Sequence, residues 1–453
     1  YTRGELTRHY LVVPTIVTFV AAVIGNILGY TAMKNVVMNM YYHSYSLPPY
    51  QTLWNGDAFI LTTVIPCIII TLINLFVIAK ALRLPPLQFL RHDFHMKKKK
   101  KAAKLPNFRF LTRFRLRIIL QNIPSYIIMV FGIMFAGLLL FFGLALNPLL
   151  ENYKTEVVNN MICDYQYVLK APVETSNDAA EKFCMTTLYE LNDEEISAYG
   201  IENGSEYLSK ANVPKKKNEV VASQGYLEKY SLKVGDRVTL KDKYGENKYT
   251  FKIVGSYYYP ASLCVFMTND NFNDVFDKDD GYFTGYFSNE KLKDIDDKYI
   301  ATTITQKDLT TVTDQLDDSM GMSFTLLVGF SVLIYIILMY LLSKLVIEKN
   351  EQNISMLKIL GYSNREASKL YNRATTVVTI GAILVSVPLI YYVFADLYHY
   401  FMFEMKGWLP YVVPWYVFVE MAVIGIICYA IIYFILQKKI NKIKLSQALK
   451  SDD

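Results

Sequence analysis

The sequence predicts a polytopic α-helical membrane protein with six spans and one extracytoplasmic α+β domain. Of its 453 residues, 53% are hydrophobic and 19% are charged, which indicates a membrane part joined to a water-exposed part. Six apolar runs of about 20 residues are long enough to cross a bilayer as helices, and none has the basic start and cleavage site of a signal peptide. These runs are residues 10–33, 58–82, 126–146, 324–347, 374–394 and 412–436.

The distribution of Lys and Arg orients the spans. With a cytoplasmic N-terminus, the inner segments are 1–9, 83–117, 348–373 and 437–453, and the short outer loops are 34–57 and 395–411. The inner segments hold 24 Lys and Arg, whereas the outer loops hold only Lys34 and Lys406. Because short loops rich in Lys and Arg stay in the cytoplasm, we expect both termini of this chain to be cytoplasmic and residues 150–322 to be extracytoplasmic.

The external segment has its own composition. Residues 151–320 hold 30 of the 41 Asp and Glu, against 19 Lys and Arg. Residues 236–259 alternate apolar and polar on both sides of a Gly-containing turn, which predicts a β-hairpin, and we expect a short helix over 223–230. A segment of about 170 residues can form its own core, so the pattern predicts a small α+β domain.

Catalysis or metal binding in this segment is not expected. It contains no His and no visible pair of nucleophile and base. Its acidic clusters at 274–280 and 294–297 resemble calcium loops, but an EF-hand register on Gly281 places Phe276 at the first ligand position. We interpret these clusters as solvated loops. Cys163, Cys184 and Cys264 can form at most one disulfide among them, so no disulfide framework is implied.

An internal repeat relates the start of the chain to its C-terminal part. Residues 1–5, YTRGE, align with residues 362–366, YSNRE, and a span follows each. Residues 80–91, KALRLPPLQFLR, align with residues 439–450, KINKIKLSQALK, after the last span of each copy. Order, spacing and flanking spans agree. We therefore expect one complete four-span unit preceded by the last two spans of another, and a further N-terminal portion in the intact protein.

This arrangement resembles the FtsX-like or MacB-like permeases of ABC transporters. The resemblance rests on residues 348–362, EKNEQNISMLKILGY, on the tail LSQALKS, and on residues 218–240, NEVVASQGYLEKYSLKVGDRVTL, which are similar to a segment of MacB-like periplasmic core domains. Ser231 stands where that segment usually has Gly. The predicted domains are 1–92, the last two spans of a first unit; 93–117, a basic cytoplasmic linker; 118–149, the first span of the second unit; 150–322, the external domain; and 323–453, the three-span permease domain with a coupling helix at 348–373.

The resemblance implies a bacterial plasma-membrane subunit whose coupling helix contacts a separate ABC ATPase dimer. The implied coupling residues are Glu348, Glu351, Ile354, Met356, Leu357, Leu360, Gly361, Tyr362 and Arg365, with Tyr1, Arg3 and Glu5 in the first copy. No phosphate-loop sequence occurs in the chain, so we expect no ATPase activity and no bound cofactor. ATP and Mg²⁺ would be held by the partner.

The residues of this segment support the same interpretation independently. Ile354, Leu357 and Leu360 are three apart, which predicts one apolar helix face. Gly361 suits a left-handed cap, and Ser363 or Asn364 can cap a second helix that enters the membrane. An apolar ridge with charged flanks suits a groove on a partner. The alternative is an interfacial helix that rests among lipid headgroups.

For three further features, a simple structural explanation stands beside a functional one. The run 97–101 with nearby Arg residues is expected to attract lipid headgroups and fix topology rather than bind nucleic acid. His92 and His95 lack the additional nearby ligands of a metal site. Glu420 is the one carboxylate inside a span, which makes it an intramembrane candidate, although it lies near the outer end and can also reach water.

The expected function is that of a permease subunit that couples ATP hydrolysis in its partner to movement of extracytoplasmic domains. The outcome would be export or extraction of a lipid, lipoprotein, peptide or antimicrobial, or mechanotransmission to a cell-envelope partner. The alternative is a membrane receptor whose external domain signals to a cytoplasmic partner. A duplicated coupling helix favours the permease, because an ATPase dimer offers two docking sites. An enzyme with an intramembrane active site is a third and weaker alternative.

Overall fold

We analysed a computed structural model of the chain, which describes residues 2–44, 46–82, 106–108, 110–244 and 246–441. The chain forms two compact units, Tyr1–Arg113 with Asp318–Ser323, and Phe114–Asp317 with Phe324–Asp453. Six helices in the described residues are long and apolar enough to cross a membrane, which confirms the six predicted spans. They lie within Arg3–Asn39, Gly56–Lys80, Ile123–Asn159, Gly321–Lys349, Asn364–Glu404 and Trp415–Asn441.

The first unit is built on a pair of apolar helices. Its helices are α1 (Arg3–Leu28), α2 (Lys34–Ser44), α3 (Gly56–Phe59) and α4 (Ile65–Ala81), and π-helical turns at Gly29–Met33 and Ile60–Val64 interrupt the two spans. Asn26 of α1 donates to the Thr63 hydroxyl at 2.7 Å and accepts from the Thr62 hydroxyl at 3.1 Å. These polar groups cross-link α1 to the second π-helical turn inside an otherwise apolar pair.

The membrane helices of the second unit surround a common core. They are α5 (Phe110–Gln121), α6 (Ile123–Asn159), α9 (Gln306–Lys349), α10 (Glu351–Ile359), α11 (Asn364–Glu404) and α12 (Trp415–Asn441). Helices α6, α11 and α12 contact one another. Buried side chains from α6, α9, α11 and α12 meet in two clusters, and Ile354 of α10 belongs to one of them.

Three of these helices continue well beyond the apolar runs that predicted them. Helix α6 extends to Asn159, α11 to Glu404, and α9 begins at Gln306. The 44 residues of α9 correspond to about 66 Å at 1.5 Å per residue, whereas a hydrocarbon core is about 30 Å thick. Helices α6 and α9 therefore connect the membrane part of the unit directly to its sheet.

A mixed sheet of nine strands forms between α6 and α9, and we call it the sheet domain. Its strands are β1 (Tyr165–Leu169), β2 (Glu181–Tyr189), β3 (Glu195–Ile201), β4 (Glu219–Ser223), β5 (Arg237–Lys241), β6 (Lys248–Tyr257), β7 (Cys264–Thr268), β8 (Gly285–Ser288) and β9 (Ile300–Ile304), in the order β3-β7-β4-β6-β5-β2-β8-β1-β9. Strand β2 also pairs with β3, so six strands close into a ring from which β8, β1 and β9 extend.

The predicted local elements of the sheet domain are confirmed. Strands β5 and β6 form the antiparallel hairpin, and the short helix α7 (Gln224–Tyr230) follows Ser223. A second short helix, α8 (Asn269–Val275), follows β7. Parallel pairs β3–β7 and β4–β6 make the sheet mixed. The fold class is therefore the predicted one, six spans with a separate mixed domain.

The three cysteines of the sheet domain are buried free thiols. Burial raises the pKa of Cys163, Cys184 and Cys264 to about 12, because an apolar environment disfavours the thiolate. They fill space in the core as small hydrophobic side chains.

Candidate functional site

The segment between α9 and α11 is folded by three local signals. Helix α9 ends at Lys349, and the buried Asn350 turns the chain and donates its side-chain amide to the Val346 carbonyl at 2.7 Å. Helix α10 then runs over Glu351–Ile359. The bend at Asn350 therefore separates a short helix from a long span.

Helix α10 ends at a glycine. Gly361 has φ +92°, a conformation that side chains disfavour. Its N–H donates to the Lys358 carbonyl, and the Tyr362 N–H donates to the Leu357 carbonyl, each at 3.2 Å. These two bonds form a Schellman motif, which confirms the predicted left-handed cap at Gly361.

A capping box starts the next span. The Ser363 hydroxyl accepts the Glu366 N–H at 3.3 Å, and the Glu366 carboxylate accepts the Ser363 N–H at 2.9 Å. Ser363 is therefore the residue that caps α11. The first unit repeats this device, because Thr2 and Glu5 form the same capping box at the start of α1. The aligned positions of the internal repeat thus have the same local structure.

The predicted apolar ridge of α10 is corrected by the structure. Ile354 is fully buried in the membrane-helix core, and Leu357 packs against the same core. Leu360 remains 71% exposed. Apolar residues at a spacing of three mark a helix face, but the pattern does not tell whether the face meets the protein's own helices or solvent.

The exposed apolar face of α10 is formed by a different set of residues. Met356, Ile359 and Leu360 are each at least half exposed, and Tyr362 follows them. Met356 precedes Ile359 by three positions and Leu360 by four, so these side chains lie on one side of the helix. We call Met356, Ile359, Leu360 and Tyr362 the apolar face. Ile359 was not among the predicted coupling residues, although its spacing from Met356 was visible in the sequence.

Lys side chains attach α10 and the adjoining end of α9 to neighbouring helices. Lys358 donates to the Ile440 carbonyl of α12 at 2.9 Å, and burial lowers the pKa of this ammonium. Lys439 of α12 contacts the Glu348 carboxylate at 2.5 Å. Lys349 donates to the Ser125 hydroxyl of α6 at 2.7 Å. Displacement of α10 together with the end of α9 would therefore pull on the adjacent ends of α6 and α12.

Lys358 and Lys439 were missed as site residues. From the sequence they counted only as basic residues that orient spans. Their partners are a main-chain carbonyl and a side chain more than 80 positions away, so no local pattern indicated either contact.

The remaining predicted residues lie in different parts of the structure or outside the described residues. Glu351 is half-buried at the start of α10, Arg365 and Arg3 are exposed, and Glu420 lies on the exposed side of α12. Tyr1, His92, His95, the run 97–101 and the LSQALKS tail lie outside the described residues. Among the described residues, no group of three or more His, Cys, Asp or Glu is placed to hold a metal ion.

Comparison with known families supplies the assignment. Residues 1–86 and 325–445 match the FtsX-like permease C-terminal domain. Both matched segments belong to the FtsX-like permease family. The two matched segments correspond to the two copies of the internal repeat, and the second contains α10. A comparison with curated proteins finds no match.

Membership defines the general role of this FtsX-like permease. The chain is a multi-pass membrane protein of the ABC transporter permease class, a class that works with an ABC ATPase. Members of the family are typically non-catalytic. In this permease, α10 lies inside the second family segment and presents an apolar surface.

Proposed function

We propose that this permease couples ATP hydrolysis by a separate ATPase to movement of its sheet domain, with α10 as the docking helix. The observation that carries the proposal is the apolar face. Met356, Ile359 and Leu360 are exposed in the last turn of α10 and just after it, and the charged residues Glu351 and Arg365 flank them. A short helix with this surface fits a hydrophobic groove on a partner.

The route from α10 to the sheet domain is short. Lys358 connects the docking helix to α12, and Glu348 and Lys349 connect the adjoining end of α9 to α12 and α6. Helix α6 continues to Asn159, close before β1, and α9 begins just after β9. Beyond the apolar runs, Lys154 of α6 and Asp314 of α9 form an ion pair at 2.6 Å. A movement imposed on α10 would therefore be transmitted along continuous helices.

The orientation is part of the proposal. The excess of Lys and Arg in the segments on the α10 side favours the cytoplasm for that side, and the sheet domain is then extracytoplasmic, in a bacterial plasma membrane. Its hairpin, short helix and mixed sheet support a MacB-like type of domain. The result of movement would be extraction or export of an envelope compound, such as a lipid, lipoprotein, peptide or antimicrobial, or activation of an envelope partner.

Copurification tests the proposal. The full chain is tagged in its native cell, extracted in mild detergent, and compared with Met356→Asp and Leu360→Asp variants. We expect a protein with ATPase activity to copurify with the unmodified chain and to be lost with both variants. Leu191→Asp is the matched control, because Leu191 is an exposed Leu of the sheet domain. Loss of the ATPase with the control, or its retention with both α10 variants, would contradict the proposal.

A further inference from the structure

The sheet domain has a second connection to the membrane helices, separate from the chain connections through α6 and α9. Helix α7 of the sheet domain lies against the segment that joins α11 to α12. Lys229 of α7 donates to the carbonyls of Met405 and Gly407, at 2.6 and 3.0 Å, and pairs with the Glu194 carboxylate at 3.0 Å. A charged side chain of the domain thus holds the main chain of the linking segment.

Lys229 is completely buried and completely satisfied. Its side chain is 0% exposed and that of Glu194 is 7% exposed. A lysine ammonium has three N–H donors, and the three acceptors at Lys229 match that number. A buried charge without such partners is strongly disfavoured. The position of residues 405–407 therefore determines whether the ammonium is tolerated.

Glu194 closes the arrangement from the other side. Its second oxygen accepts the Gly407 N–H at 2.6 Å. Gly407 has φ +79°, so its backbone presents both its N–H and its carbonyl to the pair in a conformation that favours glycine. Trp408 follows and donates its indole N–H to Glu228 at 2.9 Å. Three residues of the linking segment, Met405, Gly407 and Trp408, thus contact the sheet domain.

We propose that Lys229 and Glu194 form a buried charged latch that makes residues 405–408 a fixed part of the sheet domain. Partial displacement of the segment would leave the ammonium buried without two of its acceptors, so intermediate positions are disfavoured. The ends of α11 and α12 then move with the sheet domain as one body. Transmission of an ATP-driven movement through this latch rests on the proposed function, whereas the latch itself does not.

Disulfide trapping tests the latch directly. A Cβ added at Gly225 would lie 3.6 Å from the Trp408 Cβ, within the range that a disulfide spans. The full chain with Gly225→Cys and Trp408→Cys is oxidised in native membranes, and the rate of cross-linking is measured. The same rate is measured after adding Lys229→Met or Glu194→Gln. Lys241→Met is the control, because Lys241 pairs with the exposed Asp193, the chain neighbour of Glu194, and not with the buried carboxylate itself.

We expect rapid cross-linking with the latch intact and with Lys241→Met. With either latch variant, cross-linking should be slower by about tenfold or more, because the 405–408 segment separates from α7 for much of the time. Equal rates in all four proteins would overturn the proposal. Hydrogen exchange on the unmodified chain provides a second test that needs no variant. The Gly407 amide should exchange far more slowly than the exposed turn at Tyr244, and equally rapid exchange would overturn the latch.

Neither measurement requires an ATPase. Failure of the latch would leave the copurification result unchanged, and failure to find an ATPase would leave the cross-linking rates unchanged. The two proposals can therefore fail separately.

Discussion

Two segments that link helices of the second unit have opposite surfaces. We call them the α10 junction, between α9 and α11, and the 405–408 junction, between α11 and α12. The α10 junction leaves Met356, Ile359 and Leu360 exposed beside partly exposed ion pairs. The 405–408 junction buries a Lys–Glu pair and two main-chain carbonyls with every ammonium donor satisfied. An exposed apolar face indicates a surface that binds a partner, whereas a buried charge with all its hydrogen bonds made indicates a fixed contact. A partner can therefore bind this permease at α10, whereas residues 405–408 form a rigid connection.

Removal of the latch lysine should give the largest effect on stability. Lys229→Met leaves Glu194 buried without its charge partner, and breaking a buried pair in this way costs about 3–5 kcal/mol of unfolding free energy. Chemical unfolding of the full chain in detergent measures the change. Lys241→Met should be nearly neutral, because its partner Asp193 is exposed. Equal losses in the two variants would show that the 405–408 junction is no more rigid than an ordinary surface.

Within α10, two apolar residues should behave differently. Ile354→Ala removes a fully buried side chain, and we expect a loss of about 2–5 kcal/mol. Leu360→Ala should change stability by less than about 0.5 kcal/mol while weakening ATPase copurification. The same unfolding assay checks both. A large loss of stability in Leu360→Ala would mean that the exposed face is part of the permease core.

Each junction also contains a glycine with positive φ, Gly361 and Gly407. A Cβ would meet open space at both positions, so Gly→Ala should cost about 1–2 kcal/mol in each case, from backbone conformation alone. Hydrogen exchange distinguishes the two variants. Gly407→Ala should accelerate exchange at residues 405–408, and Gly361→Ala should not. If both variants accelerate hydrogen exchange at residues 405–408, the two junctions are not independent.

Thiol reactivity should distinguish the exposed face of α10 from the buried core of the sheet domain in the folded protein. Because burial raises the pKa of Cys163, Cys184 and Cys264 to about 12, these thiols stay protonated at pH 8 and should not react with maleimide until the domain unfolds. A cysteine introduced by Leu360→Cys should react rapidly in the folded protein. Reaction of Cys163, Cys184 or Cys264 in folded protein would mean that the sheet domain opens readily.

Much of the fold could be predicted from the sequence. Hydropathy indicated six spans, the alternation in 236–259 indicated a hairpin, and Gly361 and Ser363 indicated the boundaries of α10 and α11. Hydropathy could not indicate that α11 continues from Phe394 to Glu404 as one helix, because a helix does not end where its apolar run ends. The extensions that connect membrane and sheet domain were therefore visible only in three dimensions.

The site could be predicted only in part. The apolar spacing located α10 but placed Ile354 on the exposed side, since both faces of this helix carry apolar residues. Lys229 and Glu194 carried no signal, because they lie 35 positions apart in the chain and their other partners are main-chain atoms of the 405–407 segment. Contacts to distant backbone leave no residue pattern.

Site-specific photocross-linking determines whether α10 contacts an ATPase subunit in the cell. A photoreactive amino acid is placed at Leu360 of the full chain in its native cell, with a matched chain labelled at the exposed Leu191 as control, and the adducts are identified by mass spectrometry. We predict an adduct between position 360 and an ATP-binding subunit, absent from the control. Adducts to lipid alone at position 360 would identify α10 as an interfacial helix and contradict its role as the docking site.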